Sequence, residues 1–428
     1  MINWLSNYWY DYQLKIALKQ GNQHKAKRIL KRLEIGQQKL SCLATLYKQQ
    51  LEKNNSIAYY QEEITRLTSR LEETITYDNK LKPQPEFINY VYQSFKLNKI
   101  DHNLIQSTGI DKPVFTDLEI ALVDFITEEL NKIPQEKRDR ELANALNDLT
   151  GLKKGIDPAY SYRLTPHVYF IKYFLDNIYC LYLAWFMIYE QGLLRKKIKI
   201  LDLASGVNTS IFSLAILSSS LNRFSDKSID QVSYYSLEQQ ADLQYRGLQF
   251  WRKYIESYPV PLNAYFRFNT VDLFDYQNYF SKIPQRFFDF IVISHCFFYE
   301  SKQREQSCKI YQQIFQKNLN PDGRVLLIIQ GRKLFNAFDF PMTENINQEQ
   351  ALIQQFLQEL GLQLDWYKYL SSTNQRINNK TEFHNFAKNN LPPQKQMSSL
   401  SKIYFSQHYQ THYAIDDYLI VARPSKIP

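Results

Sequence analysis

At 428 residues the chain has room for two or three domains, and a hydrophobic content of 44% is ample for a core. Its formal net charge is +9, and only four cysteines (Cys42, Cys180, Cys296, Cys308) are present, widely separated and without a C-x-x-C pair. That usage argues against a disulfide framework and against a cysteine-motif zinc or iron–sulfur centre, so no metal is expected and a reducing, cytoplasmic setting fits best.

The basic excess is uneven. Residues 15–53 hold ten Lys/Arg against Glu34 and Glu52, a local balance of ten minus two, or +8. Such a face suits an anionic partner, RNA or an acidic protein or membrane surface, and a merely solvated helix is the plain alternative. The start, MINWLSNYWYDYQLK, lacks the charged-then-apolar order of a signal peptide. The longest apolar run, Ile178–Tyr189, is twelve residues, too short to span a bilayer, and reads as a buried helix with no transmembrane segment.

Residues 1–82 read as a basic helical hairpin or short coiled coil for docking. Apolar stripes run through Ala26, Ile29, Leu30 and Leu33 and again through Ile64, Leu67, Leu71 and Ile75. Lys82-Pro83-Gln84-Pro85 is a linker by composition, and 83–158 reads as a helical linker subdomain. The expectation is thus an all-helical N-terminal region ahead of an α/β domain over 159–428.

From Ile198 onward apolar strands and helices alternate. Strands are expected at 198–203, 232–237, 264–271, 289–294, 324–330, 364–370 and 416–424, with helices at about 209–222, 239–255, 301–318 and 347–360. The alternation predicts a doubly wound, mostly parallel seven-stranded sheet whose last strand can run antiparallel. The polar stretch 371–413 is a long insertion, a lid or a disordered segment.

Such sheets bind ligands beyond the carboxyl ends of their strands. The strand at 198–203 ends on Asp202, Ala204, Ser205 and Gly206, where small residues let backbone approach a ligand and the opening N–H groups of the next helix point at it. Glu238 ends the second strand and suits a ribose. Asp272 ends the third and suits an adenine amino group. A dinucleotide fingerprint needs G-x-G-x-x-G. The chain offers Ala204, Gly206 and Thr209 there, so a nicotinamide or flavin site is disfavoured.

Taken in order, ILDLASGVN, Glu238, VDLFD, FFDFIVIS and LNPDGRVLLI resemble the successive motifs of the class I S-adenosylmethionine-dependent methyltransferase superfamily, over about residues 160–424. The resemblance implies a Rossmann-like sheet of order 3-2-1-4-5-7-6. It implies S-adenosylmethionine as cofactor, its methionine part near Asp202–Gly206 and Asn208, its ribose on Glu238, and its adenine bordered by Asp272 and Leu273. The family's D-x-G-x-G-x-G stands here as Asp202, Ala204, Gly206 and Asn208, departing at the first and third glycines. Gly206-Val207-Asn208 is similar to motif I of the aminoglycoside-resistance 16S rRNA methyltransferases. Arg163–Tyr169 resembles the lead-in to motif I in methyltransferase-like proteins of the mitochondrial small ribosomal subunit, whose cluster-holding cysteines are absent here. The expected partner, through the basic residues 15–53, is RNA or a ribosomal component. RNA or a protein is the expected substrate, and no DNA is expected.

The strand at 289–294 ends on Ser294, His295, Cys296, Phe297, Phe298 and Tyr299, where the acceptor pocket belongs. Neither N-P-P-Y nor a Pro-Cys pair is present, which disfavours adenine amino-methylation in DNA and attack through Cys296. Ser294 can line the cofactor. His295 can take a proton or pack as a structural histidine, and the three aromatics can stack a base or pack in the core. Two readings follow: an S-adenosylmethionine-dependent methyltransferase, or a non-catalytic protein of that fold serving ribosome assembly or protein interaction. The methyl acceptor and the oligomeric state are not written in the sequence.

Overall fold

The computed structural model describes residues 10, 12–18, 23–35, 44–45 and 47–48 of the first 78. From residue 79 it describes all but 155–157, 226–227, 259, 261, 276–282, 299, 378–379 and 426–428. The chain divides into two compact units, Met1–Asp78 and Asn79–Pro428. In the first, helix α1 (Gln23–Ile35) buries Ala26, Ile29, Leu30 and Leu33 and exposes Lys27, Arg28, Lys31 and Arg32. The expected stripe at Ile64–Ile75 and Tyr299 lie outside the described residues.

The second unit is built on one sheet of nine strands in the order β1-β2-β8-β9-β7-β6-β3-β4-β5. These are β1 (Asn98–Lys99), β2 (Leu104–Gln106), β3 (Lys197–Leu203), β4 (Gln231–Glu238), β5 (Asn263–Thr270), β6 (Phe288–Ser294), β7 (Leu319–Gln330), β8 (Leu362–Ser371) and β9 (Asp416–Pro424). The seven expected strands are all present, as β3 to β9, and their order is 3-2-1-4-5-7-6, with β9 antiparallel to β7 and β8. This is the strand order that the motif resemblance implies.

The strand count needs correction, from seven to nine. β2 adds in parallel to the β8 edge and β1 pairs with β2, so the region ahead of the α/β domain is not all helical. Segments of two and three residues are too short to show a period. Asp101 fixes this small ribbon, its Oδ1 accepting from the N–H groups of Asn103 and Leu104 at 2.7 Å.

Period-2 alternation in the central strands feeds two apolar layers. Ile198 and Ile200 of β3 join the layer covered by α3 (Lys112–Asn131), α4 (Gln135–Leu149), the helix from Thr165 to Glu190, α7 (Thr209–Leu221) and α8 (Ala241–Ser257), with α2 (Pro85–Ser94) packed into the same layer. Within the Thr165–Glu190 helix, α5 (Thr165–Tyr169) and α6 (Leu175–Glu190) flank a π-helical turn at Phe170–Phe174. Leu201 and Leu203 face the other layer, under α9 (Ser301–Asn318), α10 (Gly331–Ala337) and α11 (Ile346–Glu359). Ile178–Tyr189 is buried throughout, as expected for a core helix. No described helix is long and apolar enough to cross a membrane.

The insertion 371–413 carries two helices, α12 (Lys380–Asn390) and α13 (Lys395–Phe405). It is tied down by Glu119 of α3, which accepts from the Met397 N–H at 2.9 Å, and by Asp176, which accepts from the Gln394 amide at 2.7 Å.

Candidate functional site

β3 has β4 on one side and β6 on the other, so the chain direction of the winding reverses there and opens a crevice at the strand's carboxyl end. Asp202, Ala204, Ser205, Gly206, Asn208 and Glu238 all converge on this point. The loop has a repeating geometry: Ala204, Gly206 and Asn208 have φ of 51°, 54° and 65°, all in the left-handed region. These are the three positions where the resembled motif carries glycine. Asn tolerates this conformation better than other side-chain-bearing residues, and Ala sits there at a cost of roughly 1–2 kcal/mol. The three left-handed positions thus coincide with the motif's three glycine positions, two of which carry other residues here.

Glu238 locks this shape. Its Oε2 accepts from the Gly206 N–H and its Oε1 from the Gln240 N–H, both at 2.8 Å. Ser205 meets Ser236 of β4 at 2.5 Å between hydroxyls. Asn208 does not present its side chain to the crevice opening. It is 1% exposed, and its Nδ2 donates to the Gln244 carbonyl of α8 at 3.4 Å. That close approach depends on Gly247, where a Cβ would lie 2.5 Å from the Val207 carbonyl oxygen and 2.6 Å from Asn208 Nδ2. The tight helix-to-loop packing that a glycine in the loop ordinarily permits is supplied here from the helix side.

Asp202 is 2% exposed and accepts a hydrogen bond from the Tyr234 hydroxyl. Burial, opposed by that bond, raises its pKa to about 7. Asp272 turns back on its own loop, its Oδ1 accepting from the Phe274 N–H at 2.9 Å, and Leu273 packs at the edge of the second apolar layer. Phe274 and Phe298 stand 5.2 Å apart between ring centroids, joining the loops after β5 and β6 across the crevice. Phe297 instead packs edge-on against Phe356 at 5.2 Å, a core contact.

Three contributors, Tyr169, Gln244 and Gly247, were not singled out in the sequence. The Tyr169 hydroxyl would lie 3.8 Å from a Cβ at Gly206 and takes a hydrogen bond from the Asn177 amide at 3.2 Å; burial, then the Glu238 carboxylate, raises its pKa. Gln244 braces the strand ends, donating to Ser236 Oγ at 2.8 Å and accepting from Thr270 Oγ1 at 3.0 Å. The signal for Tyr169 was its place at the end of the lead-in Arg163–Tyr169; Gln244 and Gly247 carried none.

His295 follows β6 with φ of 60°, its N–H bonded to the Ile328 carbonyl at 2.8 Å and its Nδ1 3.6 Å from Asp417 Oδ1. Burial, with the Lys333 ammonium second, pushes its pKa down and holds the ring neutral. Ser294 Oγ and Asn269 Nδ2, at the ends of β6 and β5, are buried with no hydrogen-bond partner among the described residues. Orphaned polar atoms along this edge, a left-handed loop and an acid at each neighbouring strand end fit a polar, hydroxyl-bearing ligand.

No family model matches the chain, and no curated protein matches it. Solved structures do match. A methyltransferase from Methanosarcina mazei, S-adenosylmethionine-dependent, is 12% identical with a TM-score of 0.32, over 55% of this chain and 96% of that one. The magnesium protoporphyrin IX methyltransferase of Synechocystis, solved with bound SAH, is 11% identical with a TM-score of 0.31, over 58% and 85% of the two chains. The methyltransferase CalH, also in complex with SAH, is 10% identical with a TM-score of 0.30, over 78% and 100%. All three are methyltransferases.

Proposed function

We propose that the chain binds S-adenosylmethionine at the carboxyl ends of β3, β4 and β5 and transfers its methyl group to an acceptor held beyond β6 and β7. The observation that carries this reading is the left-handed triplet Ala204, Gly206 and Asn208, clamped by Glu238 at the switch point of a 3-2-1-4-5-7-6 sheet. Asp202 and the loop would hold the methionine end, Glu238 the ribose, and Asp272 with Leu273 the adenine. Both oxygens of Glu238 accept backbone N–H groups, and a carboxylate oxygen can accept more than one hydrogen bond.

The cofactor supplies an electrophilic methyl group on a sulfonium, so the protein's task is alignment of donor and acceptor. Ser294 and His295 line the acceptor side, where a neutral imidazole can orient a hydroxyl or amine. RNA is the acceptor or partner class that the exposed Lys27, Arg28, Lys31 and Arg32 of α1 support.

One observation favours a second reading, a non-catalytic scaffold of this fold. Glu238 is only 7% exposed and is spent on closing its own loop. Photocrosslinking with labelled S-adenosylmethionine separates the two. Label on peptides covering 197–212 and 236–244, chased by unlabelled cofactor, supports binding at this edge; label absent there, or unaffected by the chase, supports the scaffold.

A further inference from the structure

We propose that Cys180, His295 and Asp417 form a binding site for one zinc-like divalent cation beside the acceptor end of the sheet. The site shares His295 with the acceptor side of the proposed reaction, and its test, metal uptake, can succeed or fail whether or not the chain binds S-adenosylmethionine.

The three residues come from three separate elements. Cys180 sits in the second turn of α6, His295 in the turn after β6, and Asp417 at the start of β9. Because β9 runs antiparallel to β7, with Asp417 opposite Gln330, its first residues lie at the edge where β6 and β7 end. Burial is graded: Cys180 is 1% exposed, and the side chains of Asp417 and His295 are 13% and 21% exposed. One ligand atom from each, the Cys Sγ, a His ring nitrogen and an Asp carboxylate oxygen, lie within 4.8 Å of one another. Among the described residues no other group of three metal-ligating side chains converges in this way.

Zinc–sulfur, zinc–nitrogen and zinc–oxygen bonds of about 2.0–2.3 Å in a tetrahedron put ligand atoms roughly 3.3–3.7 Å apart. His295 Nδ1 and Asp417 Oδ1 already stand at 3.6 Å. The remaining closure is on the order of 1 Å. It falls to side-chain rotation about Cys180 and His295.

The donor set selects the ion. A thiolate, an imidazole and a carboxylate suit zinc or cobalt; calcium and magnesium require oxygen shells. Three protein ligands leave a fourth position open, and the graded burial puts it on the His295 side, toward the acceptor end. Binding replaces the Cys180 S–H by a sulfur–metal bond and releases that proton to solvent, with no change of oxidation state. The thiolate and the Asp417 carboxylate then balance the two positive charges of the ion. In the metal-free protein Asp417 accepts a hydrogen bond from the Cys180 thiol and feels the Lys333 ammonium. No spacing rule finds this site, since its ligands are distant in sequence and its single cysteine has no partner cysteine.

The test uses the full chain, stripped with a chelator and titrated with cobalt(II), whose charge-transfer absorption reports a thiolate ligand; zinc(II) then competes. One equivalent of cobalt, a thiolate band displaced by zinc, and about one proton released per ion are expected. Cys180→Ser should abolish the band. His295→Ala and Asp417→Asn should weaken binding about tenfold or more, since even outer-shell changes cost that much. Cys296→Ala and Cys308→Ala should leave it intact. No cobalt uptake, a band that survives Cys180→Ser, or one lost with Cys296→Ala would each overturn the proposal. Should Cys180→Ser fail to fold, unchanged cobalt affinity in His295→Ala, at a partly exposed position, overturns it equally.

Discussion

The Gly206 N–H donates to the Glu238 carboxylate at 2.8 Å, so the loop that ends β3 and the acid that ends β4 hold one another in place. On the proposed reading, losing Glu238 removes more than a ribose partner. It frees a left-handed loop whose other two unusual positions are occupied by Ala204 and Asn208. The site's shape and its chemistry thus depend on the same bond.

Gly247 is the point at which helix α8 touches that loop. A methyl group there meets the Val207 carbonyl oxygen at 2.5 Å, and backbone cannot yield as a side-chain tip can. Gly247→Ala is expected to cost about 1–3 kcal/mol of stability, read by urea unfolding, and to weaken cofactor binding by displacing Asn208. Full stability in this variant would show that the helix does not brace the loop.

Asp202 gives stability a pH dependence whose sign can be stated. Its pKa rises from 3.8 in the unfolded chain to about 7 when folded, because burial disfavours the carboxylate. Between those values the folded chain holds a proton that the unfolded chain has released, so this contribution is intact below about pH 4 and is lost as pH rises through 7. The loss is up to about 4 kcal/mol. Asp202→Asn should flatten the thermal-stability profile over that window and raise the melting temperature above pH 7, while weakening cofactor binding. A profile unchanged by the substitution would contradict the assignment.

The segment ahead of the α/β domain belongs to the same folding unit. Leu81, Phe87, Val91, Phe95 and Phe115 share one apolar core with Phe212 of α7. Asp111, wholly buried, accepts from the Ser220 hydroxyl at 2.6 Å and the Tyr90 hydroxyl at 2.7 Å and pairs with Arg223. A chain beginning at Asn79 should unfold cooperatively, and one beginning at Ala159 should not. Asp111→Ala should cost about 1–3 kcal/mol by taking the acceptor from the Ser220 and Tyr90 hydroxyls, while the exposed Arg223 can turn to water.

How much of this was legible follows from the range of each interaction. The strands showed themselves because apolar pairs such as Ile200 and Leu201 must serve opposite faces, and the acids ending them stood out against apolar runs. The resemblance in motif order supplied the strand order and the antiparallel β9. What escaped was set by contacts between distant segments. The β1–β2 ribbon was too short to show a period. Gly247 mattered only once α8 lay on the loop. Cys180, His295 and Asp417 become neighbours only through the antiparallel return of β9.

The basic face of α1 makes its own prediction. If RNA docks there, affinity should fall steeply with salt, and Lys27→Glu with Lys31→Glu should weaken binding and lower the log–log slope by about 0.7 per lost phosphate contact. An unchanged slope would give these side chains another role.

The most direct measurement is a calorimetric titration of the full chain with S-adenosylmethionine at about pH 8, above the raised pKa of Asp202, alongside Asp202→Ala and Glu238→Ala. Saturable binding of one cofactor per chain, lost in both variants while each still unfolds cooperatively, is the result predicted. No heat at millimolar cofactor, or binding indifferent to both substitutions, would contradict the cofactor site at the end of β3.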